Sequence, residues 1–194
     1  MNFLAHALLS SSSEEAILGG MMGDFVKGPL AGRHDPAVSD ALALHRRIDT
    51  YTDAHPVVVG SRGRISASRR RFAGILVDMF YDHFLARRWE DYSPVPLEEF
   101  TARIYRVLLA RSDELPERLR RIAPHMAGND WLGSYRHVEA VGEALDRMGN
   151  RFKRENYLLG SVAELLENYQ ALENDFRLFF PDVVRFAQGQ GRRE

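Results

Sequence analysis

The chain has 194 residues, 45% hydrophobic and 27% charged, with no cysteine and a formal net charge of −1. That length and apolar content fit one globular domain and exclude wholesale disorder. The lack of cysteine excludes a disulfide scaffold, a thiol nucleophile and a thiolate zinc site, and the near-neutral balance argues against general nucleic-acid binding. Any metal must be held by histidine, carboxylate or water, which points to Mn²⁺, Mg²⁺, Fe²⁺ or a histidine/carboxylate Zn²⁺ site.

The N-terminal run Phe3-Leu4-Ala5-His6-Ala7-Leu8-Leu9 has no basic flank and leads into Ser11-Ser12-Ser13-Glu14-Glu15 rather than a cleavage site. No apolar stretch approaches the roughly 18–20 residues that span a bilayer, so a soluble cytoplasmic chain is expected. Periodicity is helical almost throughout. A short helix is predicted over about 2–10. Ser12, with Glu15 three residues on, resembles a capping box that opens a second helix through Leu18 and Met21. Gly19, Gly20, Gly23 and Gly28-Pro29 allow close approach or a sharp turn around Asp24. Ser39 or Asp40 is expected to cap a helix over about 40–53, stopped before Pro56. Val57-Val58-Val59 is cut off by Pro56 and Gly60. Further helices are expected over about 68–90, 97–111, 115–127, 134–149, 155–175 and 176–188. Pro124, Gly128 and Gly149 are read as breaks, Pro116 as a first-turn residue, and 189–194 as a frayed tail. With no repeat and no linker, the reading is a single compact multi-helix all-α domain over 1–194.

Two helical segments carry chemistry. In 40–53, Ala41, Leu44, Ile48 and Tyr51 form one stripe, with His45, Asp49 and Thr52 along its edge. A His and an Asp four apart can bind one metal or bond each other. In 68–90 the residues between Phe72 and Leu85 leave almost no polar face, yet Asp78, Asp82 and His83 are set among them. Buried carboxylates on one face repel, so either a cation lies between them or each caps a helix or pairs with an arginine. His6 fits a satisfied core histidine as well as a site, Asp24 an Asx turn as well as a ligand, and Asp53-Ala54-His55-Pro56 a capped helix end. His34, His125 and His137 show no partners and are read as structural or surface residues. Arg62, Arg64, Arg69, Arg70 and Arg71 form a basic stretch that is either a solvated face or a grip for an acidic partner or phosphate.

Met1-Asn2-Phe3-Leu4-Ala5-His6, Gly23-Asp24-Phe25-Val26-Lys27-Gly28, His45-Arg46-Arg47-Ile48-Asp49 with Thr52-Asp53-Ala54-His55-Pro56, and Tyr81-Asp82-His83-Phe84-Leu85-Ala86 with Trp89 resemble, in this order, the acyl-carrier-protein phosphodiesterase family. That family is an offshoot of the HD-type metal-dependent phosphohydrolases, and the motifs cover residues 1–90. The resemblance implies an HD-domain-like fold and hydrolysis of holo-acyl carrier protein to apo-protein and 4′-phosphopantetheine, with Mn²⁺ the usual metal. In the wider superfamily the metal is held by His…His-Asp…Asp, whereas here Asp82-His83 stands in the reverse order, so ligands are not carried over from it. Buried charge and the family motifs together nominate Asp24, His45, Asp78, Asp82 and His83 as ligands. Asp49 is expected to orient His45 or the attacking water, and His55 or His6 to protonate the leaving serine oxygen. Lys27, Arg46, Arg69, Arg70 and Arg71 are expected to meet the phosphate and the acidic carrier protein. No nucleic-acid or membrane partner is expected. An HD-like phosphohydrolase of a nucleotide or other small phosphoester, and a non-catalytic helical binding module with a structural metal, are the alternatives.

Overall fold

Helical periodicity carries through into the backbone. The computed structural model describes residues 1–10, 13–30, 32–151 and 156–190, and every regular element among them is helical. The architecture is all-α. α1 (Phe3–Leu9) is followed by α2 (Glu14–Met22), whose Ser13 hydroxyl accepts from the Ala16 amide at 3.2 Å. Ser12, the expected cap, lies outside the described residues. α3 (Pro36–Ala54) begins earlier than the sequence suggested. Asp35 accepts from the Ala37 amide at 2.9 Å and Pro36 occupies the first turn, so neither Ser39 nor Asp40 is the cap. The three valines lie in a helix, α4 (Pro56–Arg64), with the His55 ring accepting from the Val57 amide at 3.3 Å.

The segment 68–90 divides into a 3₁₀ turn (Ala67–Phe72), α5 (Ala73–Arg87) and a second 3₁₀ turn (Trp89–Asp91). Beyond it come α6 (Leu97–Ala110), α7 (Glu117–Gly128), α8 (Trp131–Ser134) and α9 (Val138–Gly149). The chain ends in α10 (Val162–Glu167) and α11 (Tyr169–Gln190). No continuous helix spans 155–175. Residue 155 lies outside the described residues, and the Asn156 side chain accepts from the Leu158 amide and donates to the Gly149 carbonyl, which favours a turn. No break separates 175 from 176 either. α11 runs through Pro181, just as α7 contains Pro124. Proline inside a helix costs about 3 kcal/mol, and the burial of Phe176, Phe179, Phe180 and Val183 around Pro181 offsets it. Gly189 and Gln190 of the expected frayed tail are helical, and 191–194 lie outside the described residues.

α5 is the central helix, packed against α1, α4, α9 and α11, with Leu76, Val77, Phe80, Phe84 and Leu85 fully buried. Buried apolar side chains from α1 to α11 form one contiguous cluster. α2 lies against α3 at close range, and a Cβ on Gly19 would overlap Ala41. That approach sets the end of α2 over His45. Among the described residues no helix is long and apolar enough to cross a membrane.

Candidate metal centre

Two helices deliver three candidate ligands to one point. His6 on α1 and His45 and Asp49 on α3 place ligand atoms all within 4.8 Å of one another. The His6 and His45 rings stack, with centroids 3.5 Å apart and planes 11° from parallel. His6 Nε2 lies 2.9 Å from Asp49 Oδ1. His45 Nδ1 donates to the Gly20 carbonyl at 2.9 Å, which turns Nε2 toward two carboxylates, 3.3 Å from Asp49 Oδ2 and 3.8 Å from Asp24 Oδ1. A Cβ on Gly23 would fall on the His45 ring, so glycine is the one residue that leaves this space. The Met1 ammonium sits beside the cluster, 3.2 Å from Asp78 Oδ1 and 3.5 Å from Asp49 Oδ1.

The electrostatics couple the two histidines to the surrounding carboxylates. Burial would lower His45, but Asp24 and Asp49 outweigh it and lift the imidazole to about 9. Burial brings His6 down to about 4, with the neighbouring His45 adding to the fall, so one ring of the stack is neutral. Burial works to raise Asp49 and Asp24, yet the histidines hold both below their ordinary values. Burial prevails at Asp78, which is raised despite the Met1 ammonium. His6 Nδ1, His45 Nε2 and Asp78 Oδ1 are buried without a hydrogen-bond partner. Buried nitrogen and oxygen atoms without partners, a carboxylate at their centre and no sulfur donor form the set that a borderline or hard divalent cation takes once the His45 nitrogen gives up its proton. The residues fit such an ion.

Of the ligands expected from sequence, His45 and Asp24 meet at this point, and Asp78 adjoins it through the Met1 ammonium. Asp82 and His83 do not. The Asp82 carboxylate accepts the Leu4 amide at 2.9 Å and the Ala5 amide at 3.0 Å, capping the first turn of α1 from a neighbouring helix. His83 uses both nitrogens elsewhere, Nδ1 with the Tyr135 carbonyl at 2.8 Å and Nε2 with the Tyr169 hydroxyl at 2.9 Å. Asp49, expected as a positioning group, stands inside the donor set, as does His6. His55 is turned away: it caps α4 and lies 3.4 Å from Asp182 of α11.

The basic residues separate as well. Arg46 donates to the Val26 carbonyl at 3.1 Å and fastens the loop that carries Asp24. Lys27, Arg70 and Arg71 are exposed. Arg69 is spent on the Tyr157 carbonyl at 2.9 Å and on Glu164 at 3.3 Å. Sequence reasoning missed a cleft of about 270 Å³ that Asp24 and Asp78 share with Phe25, Ile75, Ile122 and Trp131 and with exposed Arg118, Arg147 and Arg151. Its walls come from α5, α7, α8 and α9, whose residues are scattered in sequence and form no motif.

No solved structure matches the chain. It is similar to proteins named acyl carrier protein phosphodiesterase from Serratia proteamaculans (36% identical over 189 residues, 97% of this chain and 98% of the relative). It is similar to one of the same name from Yersinia pestis (33% over 189 residues, again 97% and 98%) and to one from Salmonella dublin (35% over 185 residues, 95% and 96%). A family model for acyl carrier protein phosphodiesterase matches residues 1–183. With relatives covered nearly end to end and the family pattern running through both the donor cluster and the cleft, the chain belongs to the acyl carrier protein phosphodiesterase family.

Proposed function

We propose that the chain is a divalent-metal-dependent phosphodiesterase that hydrolyses holo-acyl carrier protein to apo-protein and 4′-phosphopantetheine, with Mn²⁺ as the metal. The observation that carries this is the cluster of His6, His45 and Asp49, with buried atoms that lack partners, beside a cleft lined by Asp24 and Asp78 in a member of this family. His6, His45 and Asp49 hold the ion, with Asp24 and Asp78 flanking it. A cation bound there neutralises phosphodiester oxygens and acidifies water. The protein's own part is positioning. Gly20 fixes the His45 tautomer through Nδ1, Asp82 fixes α1 and thereby His6, and Arg46 fixes the Asp24 loop. Water adds to phosphorus, the bond from phosphorus to the carrier serine oxygen breaks, and that oxygen leaves with a proton. His6 serves as a ligand in this reading rather than as the acid, since a group near 4 is unprotonated at neutral pH.

The test is intact-mass analysis of holo-carrier protein incubated with the chain and Mn²⁺. Loss of the phosphopantetheine mass, abolished by chelator and restored by Mn²⁺, is the expected result. Unchanged holo-protein at every metal condition overturns the reading.

A further inference from the structure

We propose that the cleft beside the donor cluster seats the uncharged arm of the substrate against Ile75 and Trp131, while Arg118 and Arg147 receive the negative charge of the protein bearing that arm. The inference rests on the phosphodiesterase reading above and adds where the substrate lies. Three observations support it. The cleft adjoins the cluster, because its wall includes Asp24, 3.8 Å from His45 Nε2, and Asp78, which shares the Met1 ammonium with Asp49. Its walls are apolar where the surface would otherwise be polar: Ile75 is 41% exposed on a helix that is buried almost everywhere else.

The third observation is charge held in place. The Arg118 guanidinium lies 5.7 Å from the centre of the Phe25 ring, and that of Arg147 lies 5.2 Å from Trp131. Cations resting on aromatic faces keep their hydrogen-bond donors free for an incoming anion. Arg118 and Arg151 have no carboxylate partner among the described residues, and Arg147 has only the exposed Glu143 at 3.4 Å, a contact of small worth in water. At about 270 Å³ the cleft falls just below the usual range for small-molecule pockets, about 300–1,000 Å³, which suits a slender amphipathic arm and not a folded element. A carboxylate floor, apolar walls and arginines at the exposed edge match a ligand whose parts are, in order, a metal-bound phosphodiester, an uncharged arm and an acidic protein.

The experiment is steady-state kinetics on holo-carrier protein with Mn²⁺, together with inhibition by free pantetheine, the arm without its phosphate. Ile75→Asp should raise KM about tenfold or more with kcat within about threefold, and should weaken pantetheine inhibition by a similar factor. Arg118→Glu with Arg147→Glu should also raise KM about tenfold, should leave pantetheine inhibition within about twofold, and should lose most of its effect at about 0.5 M salt. Leu178→Asp, on exposed α11 surface away from the cleft, is the control and should match wild type. Ile75 and Leu178 are exposed, so neither change tests folding. Active wild type with unchanged KM and pantetheine inhibition in Ile75→Asp overturns the cleft assignment alone. Inactive wild type overturns the phosphodiesterase reading and this inference with it.

Discussion

Two histidine–aspartate pairs look alike in the sequence and are opposites in the fold. On α5, Asp82 and His83 are fully buried with a partner on every polar side-chain atom, two α1 amides on the carboxylate and Tyr135 and Tyr169 on the ring. On α3, His45 and Asp49 are only partly satisfied, since His45 Nε2 lacks an aligned partner and Asp49 is 37% exposed. Burying polar groups costs free energy unless they are bonded, so a complete set of partners marks architecture. An incomplete set beside a cleft leaves atoms available for the proposed ion. The difference lies in which atoms remain unspent, and residue type does not reveal it.

The sharpest way to break the comparison is to remove one member of each pair. Asp49→Asn keeps the shape of a partly exposed side chain but removes the charge at the centre of the donors. Turnover should fall by more than about a thousandfold and Mn²⁺ content should drop, while the protein still folds cooperatively. Asp82→Ala should do the reverse. It strands the Leu4 and Ala5 amides at about 1–3 kcal/mol each, so denaturant unfolding should show a loss of roughly 2–5 kcal/mol. Asp82→Asn, which keeps one acceptor, should lose about half as much. His83→Ala should destabilise the protein and leave metal content per folded molecule intact. Metal loss in His83→Ala with retention in Asp49→Asn would invert the assignment.

The sequence carried the helical class, most element positions, and the residues His6, Asp24, His45 and Asp49, because apolar periodicity and local spacing are written along the chain. It carried Asp78, Asp82 and His83 as polar residues on a buried helix, and one of its two readings of buried carboxylates, capping a neighbouring helix, is the one Asp82 adopts. Choosing between capping and ligation required knowing that α1 begins against α5, a contact between residues 77 apart. The α3 start is legible in Asp35-Pro36, an Asp cap followed by a first-turn proline, ahead of the expected Ser39 or Asp40. The cleft was not legible, since Phe25, Ile75, Arg118, Trp131 and Arg147 share neither helix nor spacing.

Proton competition sharpens the α3 side. In the metal-free protein His45 stands at about 9, above its ordinary 6.5. A raised basic group contributes stability that is fully present below 6.5 and is lost as pH rises through about 9. The proposed metal binding would run the other way, because a ligand nitrogen must give up its proton. Apparent Mn²⁺ affinity should therefore climb by up to about tenfold per pH unit over this window and level off above it. Titration calorimetry at several pH values, with buffers of different ionisation heat, reads both the affinity and the released proton. Asp24→Asn, which removes one of the two carboxylates raising His45, should move the plateau to lower pH. A flat profile would show that His45 is no ligand.

The smallest effects separate the arginines by the same criterion of spent and unspent atoms. Arg69 is a clamp. It joins Glu164, only 2% exposed, which also accepts the Ser66 amide at 3.0 Å, while its guanidinium reaches the Tyr157 carbonyl. Burial works to raise Glu164, but Ser66 and Arg69 hold it below its ordinary value, so this stabilisation is present above about 4.5 and fades as pH falls through the lowered pKa. Arg69→Ala should cost roughly 1–2 kcal/mol at neutral pH and less in acid, with little effect on KM. Arg70 and Arg71 are exposed, so Arg70→Glu with Arg71→Glu should change stability by less than about 0.5 kcal/mol. Any effect of the pair on holo-carrier KM should be about two- to fivefold and should vanish with salt, as for distant steering charges. Reversal at Arg118 and Arg147 should exceed it, because those cations line the cleft that adjoins the donors. Measuring both double reversals at low and high salt ranks the two surfaces, and a larger low-salt KM increase from Arg70 and Arg71 would move the docking face to the basic run.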